Sequence, residues 1–167
     1  MIVQDKKELE VKCSPVSVKE GEEIGVRLLH ELRESENGIG LAANQIGIDK
    51  RVCVVNVKEP LVLINPKIVE KSKEKFVFPE GCLSFPEIRG DITRAEEIRV
   101  KYQDLDGVHH TIECDGLLAR CIQHEVDHLK GILFIDRMDR DVYEEIKKEV
   151  QNLKQDTIRN MKTGRGN

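Results

Sequence analysis

Residues 123–128 are QHEVDH, and the fold has to be built around the helix that this stretch predicts. His124 and His128 are four positions apart, so on an α-helix they project from one face with about 40° between them. Two imidazoles at this spacing are typical of a metal site, and Glu125 lies beside them, in a position to handle the protons of a bound water molecule. The alternative is a pair of hydrogen-bonded histidines on a buried helix.

The helix around this motif has predictable ends and a predictable apolar wall. Asp115 is a suitable N-terminal cap, and Gly131 is suited to the left-handed conformation that ends a helix after Lys130. Leu117 and Cys121 continue the stripe of the histidines toward the N-terminus. The pattern therefore predicts a partly buried site beside a hydrophobic wall.

Helical patterns also occur near both ends of the chain. Ser17 and Glu20 have the spacing of a capping box, and apolar residues follow at helical intervals, so we predict a helix over 18–36. A last helix is marked by apolar residues at helical spacing, with charges on the opposite face: Val142, Ile146, Val150 and Leu153. Both helices are amphipathic, and each is expected to pack one face against the rest of the domain.

The middle of the chain is rich in β-branched residues, and Pro, Glu and Lys separate its apolar runs. The pair Asp106-Gly107 is a hairpin turn signal between two such runs. The predicted strands are 51–57, 61–65, 67–70, 75–78, 97–104 and 109–115. This pattern predicts an α+β fold, in which an antiparallel or mixed β-sheet packs around the motif helix, with one helix near the N-terminus and one at the C-terminus. We expect a single catalytic domain over 1–160 and a frayed tail over 161–167.

The composition argues against several classes of protein. A net charge of -4 with 4% aromatic residues does not favour nucleic acid as a partner, and no apolar run is long enough to span a membrane. The first ten residues, MIVQDKKELE, have no apolar core of a signal peptide, so a cytoplasmic location is expected. Five cysteines without an export signal argue against a disulfide framework and favour reduced thiols.

Two histidines require a further metal ligand. Phe134 stands where the extended metalloprotease pattern HExxHxxGxxH needs a third histidine, which excludes that pattern. Glutamates of the last helix, Glu144, Glu145 and Glu149, are an alternative, although they are explained more simply as solvated charges. Cys121 is too far along the helix axis to reach a metal between the two imidazoles.

Cys82 is the best remaining candidate for the third ligand. It lies in FPEGCLSFPE, where Pro79 and Pro86 predict a rigid, irregular segment rather than a regular strand. Gly81 permits close backbone approach, and the amide of Leu83 can donate to an anion formed at the metal. The alternative for an isolated cysteine is a small buried apolar residue.

The glycine-rich loop at 38–47, GIGLAANQIG, contains the pattern GxGxxA. A dinucleotide site is excluded, because that motif needs a strand before it and a helix after it, and here the order is reversed. The loop provides Gln45, whose amide can donate a hydrogen bond to a developing oxyanion. The alternative is a tight turn with Gln45 in solvent.

Taken together, these three segments resemble the peptide deformylase family, which removes the formyl group from the N-terminal methionine of newly made proteins. Its motifs GxGLAAxQ, EGCxS and QHExDH match residues 38–45, 80–84 and 123–128. The resemblance implies that Glu125 is the general base and acid and that Gln45 and the Leu83 amide stabilise the oxyanion. It implies three metal ligands, Cys82, His124 and His128.

The resemblance also implies a cofactor and partners. Fe(II) is the expected metal, with Zn, Ni or Co as possible replacements, and one thiolate with two imidazoles suits any of them. The substrates would be N-formyl-methionyl peptides, held by the backbone at Gly40 and Gly81, with Arg89 contacting the peptide beyond methionine. Docking on the ribosome through the C-terminal helix is a further expectation from the family.

An apolar groove is predicted for the methionine side chain, along Leu117 and Cys121, with Ile39 and Phe78 as additional candidates. Arg120 is adjacent, and we expect its stem to line the groove with its guanidinium in water. We also predict that Asp127 supports the histidines and pairs with Arg94. Two other functions remain open at this point: a small metallopeptidase that cleaves internal amides, and a structural zinc module with a closed four-ligand site.

Overall fold

The computed structural model describes residues 1–36 and 38–162. In chain order, these residues form α1 (Lys6–Leu9), α2 (Val18–Glu34), β1 (Gly40–Ala42), a first 3₁₀ helix (Ala43–Ile46), β2 (Val52–Asn56), β3 (Pro60–Lys71), β4 (Lys75–Cys82), β5 (Phe85–Ala95), β6 (Glu97–Gln103), β7 (His109–Asp115), α3 (Gly116–Leu129), a second 3₁₀ helix (Phe134–Arg137) and α4 (Arg140–Lys162). The predicted α+β class is confirmed.

The larger sheet has five antiparallel strands in the order β1-β2-β3-β6-β7. Successive side chains of a strand point to opposite faces, and β2 follows this rule with apolar residues on both. Val52 and Val54 belong to the core cluster that contains α2, whereas Cys53 and Val55 belong to the cluster that contains α3. The two helices therefore cover opposite faces of this sheet.

A second sheet is the two-stranded hairpin β4–β5, which we call the cysteine hairpin because Cys82 ends its first strand. A third apolar cluster lies behind it. There Phe85 and Ile92 of β5 pack with Leu9 of α1, Phe134 of the second 3₁₀ helix and Ile146 of α4. The C-terminal segment is thus attached to the strand that follows Cys82.

Several turn and cap predictions are confirmed. The amide of Glu20 donates to the Ser17 hydroxyl at 3.3 Å at the start of α2. Gly107 has a φ of 80° in the loop between β6 and β7. Gly131 has a φ of 76° just after α3, and the next amide donates to the carbonyl of Asp127 at 2.9 Å. Asp115 is the N-cap residue of α3, which confirms the predicted start of the helix, but its side chain makes no capping hydrogen bond.

Other boundaries differ from the prediction. The segments 61–65 and 67–70 form one strand, β3, because a register shift against β6 accommodates Pro66. The segment from Pro79 to Cys82 belongs to β4 rather than to irregular chain, but its pairing with β5 shifts in register between Gly81 and Cys82, so the predicted irregularity is present at that point. Pro79 is tolerated because β4 is an edge strand with β5 as its partner.

The C-terminal region agrees with the predicted helix in part. Ile146 is buried, whereas the side chains of Val150 and Leu153 lie outside the part of the chain that is described. α4 continues through Lys162 and so includes the first two positions of the predicted tail, and 163–167 lie outside the described residues. Within the described helices, none is both long and apolar enough to cross a bilayer.

Candidate metal centre and active site

The predicted donors come together where α3 passes the end of β4. The ring centroids of His124 and His128 are 5.0 Å apart, and Cys82 Sγ lies 3.4 Å from His128 Nε2. The donor atoms of all three residues lie within 4.8 Å of one another. Among the described residues, this is the one cluster of three or more Cys, His, Asp or Glu side chains that could hold a metal ion. The glutamates of α4 are not part of it.

This donor set fits a single divalent metal ion. His124 Nδ1 lies 2.8 Å from Glu80 Oε1, which leaves Nε2 of the same ring for a metal. A thiolate with two imidazoles suits Fe(II), Zn, Ni and Co alike. Glu125 Oε1 lies 3.6 Å from His124 Nε2, and Oε2 is buried without a hydrogen-bond partner among the described residues. A buried carboxylate oxygen without a partner, beside a metal site, suits a water molecule bound there.

Glu80 is the centre of the polar network around the site. It accepts two hydrogen bonds from Arg94, at 2.6 Å and 2.9 Å, and one from Arg120, and it faces His124. Phe78, Glu80 and Cys82 occupy alternate positions of β4 and so share the face toward α3. The strand that carries the thiol thus also carries the group that orients one imidazole.

Asp127 extends this network along α3. Arg94 Nη1 donates to Asp127 Oδ2 at 2.9 Å, which confirms the predicted pairing. Arg137, from the second 3₁₀ helix, donates two further hydrogen bonds to the same carboxylate, at 3.1 Å and 3.0 Å. Sequence reasoning missed Arg137, because the contact spans an element boundary that no local pattern reveals.

Burial and charge shift the ionisable groups of the site in different directions. Burial raises the pKa of Glu125 to about 7, against the nearby charges of His124 and Arg94. Burial lowers the pKa of His124, but its hydrogen bonds with Cys82 and Glu80 outweigh that effect and raise the pKa to about 10. Burial and the charge of His124 hold the pKa of His128 well below its usual value. These directions apply to the site without a metal ion.

Gln45 faces the thiol, as its predicted role requires. Its Oε1 accepts from the amide of Ala42 at 2.9 Å, which fixes the orientation of the side-chain amide. Its Nε2 then points toward Cys82 Sγ at 3.3 Å and Ser84 Oγ at 3.2 Å. A fixed N–H donor beside a metal site can stabilise a negative oxygen.

A cavity of about 710 Å³ opens onto this centre. Its lining includes every side chain or backbone position predicted for substrate binding: Ile39, Gly40, Phe78, Gly81, Arg89, Leu117, Arg120 and Cys121. Ile39, Phe78 and Leu117 are apolar and exposed, with 43–46% of their surface accessible. A β-carbon at Gly40 would lie 3.1 Å from the Glu125 carboxyl carbon, so glycine allows the loop to approach the carboxylate closely.

The prediction for Arg120 is wrong in one respect. The residue lines the cavity, but its guanidinium is not in water, since only 2% of the residue is exposed. It donates to Glu80, to the Ile92 carbonyl and to the Phe76 carbonyl, and it lies 4.3 Å from the Phe76 ring centroid. Its partners lie 28 to 44 positions earlier in the chain, beyond the reach of a local pattern.

Two more functional positions were missed by the sequence reasoning. Asn44 Nδ2 donates to the carbonyl of His128 at 2.6 Å and so attaches the glycine-rich loop to the motif helix. Gln123 bonds both backbone groups of Ala95 at the end of β5, at 3.3 Å and 2.9 Å. Gln123 is a fixed residue of the motif QHExDH, which was the available signal, whereas Asn44 occupies the variable position of GxGLAAxQ and had none.

The sequence profile of the polypeptide deformylase family matches residues 1–144. A peptide deformylase of Opitutus terrae is 45% identical over 137 residues, which cover 70% of this chain and 71% of that one. The chain belongs to the peptide deformylase family. The predicted family, function and enzyme class are therefore confirmed: this is a hydrolase that removes the N-formyl group from nascent polypeptides, in a family whose members are metal-dependent.

Solved peptide deformylases have the same fold. The enzyme of Plasmodium falciparum is 33% identical, with a TM-score of 0.87, covering 93% of this chain and 96% of that one. The enzyme of Synechococcus elongatus, solved in complex with actinonin, is 38% identical, with a TM-score of 0.83, covering 90% and 85%. The antiparallel sheets and helices described above are thus those of the family.

Proposed function

We propose that Cys82, His124 and His128 hold one divalent metal ion and that Glu125 is the catalytic base and acid of deformylation. The observation that carries this proposal is the convergence of the three donor atoms within 4.8 Å, with Glu125 Oε1 3.6 Å from His124 Nε2. A bound metal would lower the pKa of a water molecule and polarise the formyl oxygen. The remaining chemistry belongs to side chains and backbone of this chain.

Glu125 accepts the proton of the attacking water and delivers it to the departing amine. Its carboxylate is buried beside the donor atoms, with one oxygen that has no hydrogen-bond partner among the described residues, so it can carry a proton in one step and release it in the next. Gly40 leaves the space in which this carboxylate lies next to the loop. Formate and a free amino terminus are the products.

Gln45 and the amide of Leu83 stabilise the negative oxygen that develops on the formyl carbon. The support for Gln45 is its fixed orientation, with Oε1 held by Ala42 and Nε2 directed at Cys82. Leu83 follows Cys82 directly, so its N–H is the first backbone donor after the thiol in the chain. Donors already in place cost no reorganisation when the charge appears.

The substrate lies in the cavity beside the metal centre. The methionine side chain fills the apolar part lined by Ile39, Leu117 and Cys121, close to the metal ligands. Backbone at Gly40 and Gly81 holds the peptide, and Arg89 contacts residues beyond methionine. Arg120 forms part of the cavity wall but offers no free charge to the substrate, because its guanidinium donates to Glu80.

Finer assignments belong to the same proposal. Fe(II) is the metal, with Zn, Ni or Co as possible replacements, because the family resemblance implies it and the donor set accommodates all four ions. The enzyme acts in the cytoplasm as one catalytic domain over 1–160. It docks on the ribosome through α4. Anaerobic purification followed by metal analysis tests the identity of the metal.

Substitution of Glu125 by Gln tests the catalytic assignment. Formate release from formyl-Met-Ala should fall by about 10²–10⁴ while the metal content stays the same, because the amide cannot carry the proton. Glu149→Gln, an exposed glutamate of α4, is the matched control and should leave the rate unchanged. An unchanged rate in the Glu125 variant would remove Glu125 from the mechanism.

A second arm of the same assay separates the alternative functions. A small metallopeptidase would cleave unformylated peptides at internal amides, and a structural zinc module would release no formate at all. We expect formate release from the formylated peptide and no cleavage of its unformylated counterpart. Cleavage of internal amides would favour the metallopeptidase.

A further inference from the structure

A series of charged hydrogen bonds leads from the protein surface to one of the proposed metal ligands. It begins at Arg137, the last residue of the second 3₁₀ helix. Arg137 Nε donates to Asp127 Oδ2 at 3.1 Å, and Nη2 donates to Asp127 Oδ1 at 3.0 Å. This two-point contact fixes the plane of the carboxylate, which a single hydrogen bond would not do.

The series continues through two buried groups. Asp127 Oδ2 also accepts from Arg94 Nη1 at 2.9 Å. Arg94 uses its other two nitrogens for Glu80, at 2.6 Å and 2.9 Å. Glu80 Oε1 lies 2.8 Å from His124 Nδ1. A planar guanidinium has no freedom to improve one contact without changing the other, so the orientation of Asp127 affects that of Glu80.

Arg137 differs from the other members of the series in its exposure. Its side chain is 41% exposed, whereas those of Arg94, Asp127, Glu80 and His124 are 4–10% exposed. If Arg137 is removed, Asp127 remains buried as an anion with Arg94 as its one guanidinium partner among the described residues. The carboxylate is then free to turn, and water can enter at the vacated position.

We propose that Arg137 is a positioning residue of the metal centre, which orients His124 through Asp127, Arg94 and Glu80. The inference rests on the proposed function, because it presupposes that His124 is a metal ligand. Partners of metal ligands commonly alter metal affinity by about 10–100-fold when they are removed. Arg137 acts from further away, and its effect should lie at the lower end of that range.

The loss of the Arg137 charge and the loss of its hydrogen-bond geometry should change metal affinity in opposite directions. Loss of a positive charge near a cation would tighten metal binding, whereas loss of orientation at His124 would loosen it. Because the Arg137 side chain is two-fifths exposed, solvent and salt screen its charge, and the geometric effect should dominate. The sign of the change in metal dissociation therefore distinguishes the two.

The test uses the full chain loaded with Co(II), and it measures transfer of the metal to a chelator together with the visible absorption of the bound ion. Arg137→Gln should release Co(II) about tenfold faster and shift the absorption bands. Arg137→Lys keeps the charge but cannot form the two-point contact, so it should behave like the glutamine variant. Arg140→Gln, at an exposed position three residues later, is the matched control and should match the wild type.

If Arg137 only stabilised the fold, its substitution would give a different result in these measurements. It would lower the unfolding temperature of the metal-free and Co(II)-loaded proteins equally and leave the absorption bands in place, and that result would overturn the proposal. Wild-type release from Arg137→Gln, or full restoration by Arg137→Lys, would also overturn it. If the wild-type protein itself binds no Co(II), the proposed metal site fails instead, so the two failures are distinguishable.

Discussion

Helix α3 and the cysteine hairpin each supply ligands to the same centre, but they are held in place by different forces. Every residue of α3 from Ala119 to Leu129 is buried, so the histidines stand on an element packed on nearly all sides. Along β4, the residues from Lys75 to Pro79 are exposed or half-buried, and Glu80 is buried. The helix is positioned by apolar packing, whereas the hairpin has little apolar contact of its own on this strand.

Along β4, polar contacts replace that packing, whereas β5 packs its apolar residues in the third cluster. Glu80 accepts from Arg94 on β5 and from Arg120 on α3, and Arg120 also bonds the carbonyls of Phe76 and Ile92. Hydrogen bonds to charged groups are strong in a low-dielectric interior, but they fail together when one member is lost. The strand that carries the thiol therefore depends on this network. The helix that carries the imidazoles is held by the core, and the network adds only the orientation of the His124 ring.

The largest expected effect comes from Glu80→Gln. This change leaves Arg94 and Arg120 with one buried anion fewer, and loss of one partner from a buried ion pair costs about 3–5 kcal/mol. We expect the free energy of unfolding, measured by urea denaturation, to fall by about 3 kcal/mol, since glutamine keeps one acceptor oxygen. Metal affinity should fall by at least tenfold, because His124 loses its carboxylate partner.

Glu97→Gln is the control for this change. Glu97 is an exposed carboxylate at the start of β6, and its substitution should alter the unfolding free energy by less than about 0.5 kcal/mol. If both variants unfold at the same urea concentration, the network around Glu80 does not stabilise the hairpin. The proposed difference between hairpin and helix would then be wrong.

The comparison also explains which parts of the molecule the sequence predicts. The helix α3, its glycine stop, the capped start of α2 and the hairpin turn at Gly107 depend on neighbours within a few positions, and local patterns predict them. Within the site, the histidine pair and Glu125 are predicted from their spacing along a single helix. The choice of Cys82 needed elimination of other ligands, and its role came from the resemblance to a family.

The remaining features depend on contacts between distant segments. Glu80 meets Arg94 14 positions later, Arg120 40 positions later and His124 44 positions later, and no periodicity connects them. Without Glu80 as a partner, Arg120 is expected in solvent, which is why its predicted location is wrong. For a similar reason, the sequence predicts two strands on either side of Pro66 where the structure has one. The register shift that accommodates Pro66 depends on the pairing of β3 with β6 and cannot be seen in either strand alone.

Gly131→Ala tests how tightly the C-terminal end of α3 is packed. Gly131 has a φ of 76°, and a β-carbon there would lie 2.5 Å from the carbonyl oxygen of Glu10, a backbone atom that cannot move aside alone. We expect a loss of roughly 2–4 kcal/mol in unfolding free energy, of which about 1–2 kcal/mol is the cost of the left-handed conformation. Urea denaturation of the metal-free protein measures it.

Gly47→Ala separates the two contributions. Gly47 has a φ of 82°, and a β-carbon there would meet no atom within 4 Å. Its substitution should therefore cost only the conformational part, about 1–2 kcal/mol. Equal losses in the two variants would show that the contact with Glu10 is relieved easily, and that the end of α3 is less tightly packed than its burial indicates.

The smallest effect is expected on the exposed strand of the hairpin, at Val77. Val77 is 59% exposed and Val126 of α3 is 1% exposed, so one chemical change, valine to alanine, can be compared in both regions. Val126→Ala removes two buried methyl groups and leaves a cavity, at a cost of about 2 kcal/mol. Val77→Ala should change the unfolding free energy by less than about 0.5 kcal/mol, because its side chain already contacts water. A loss at Val77 as large as that at Val126 would mean that apolar packing holds β4 as well as β5, and that the charged network around Glu80 is not the main support of β4.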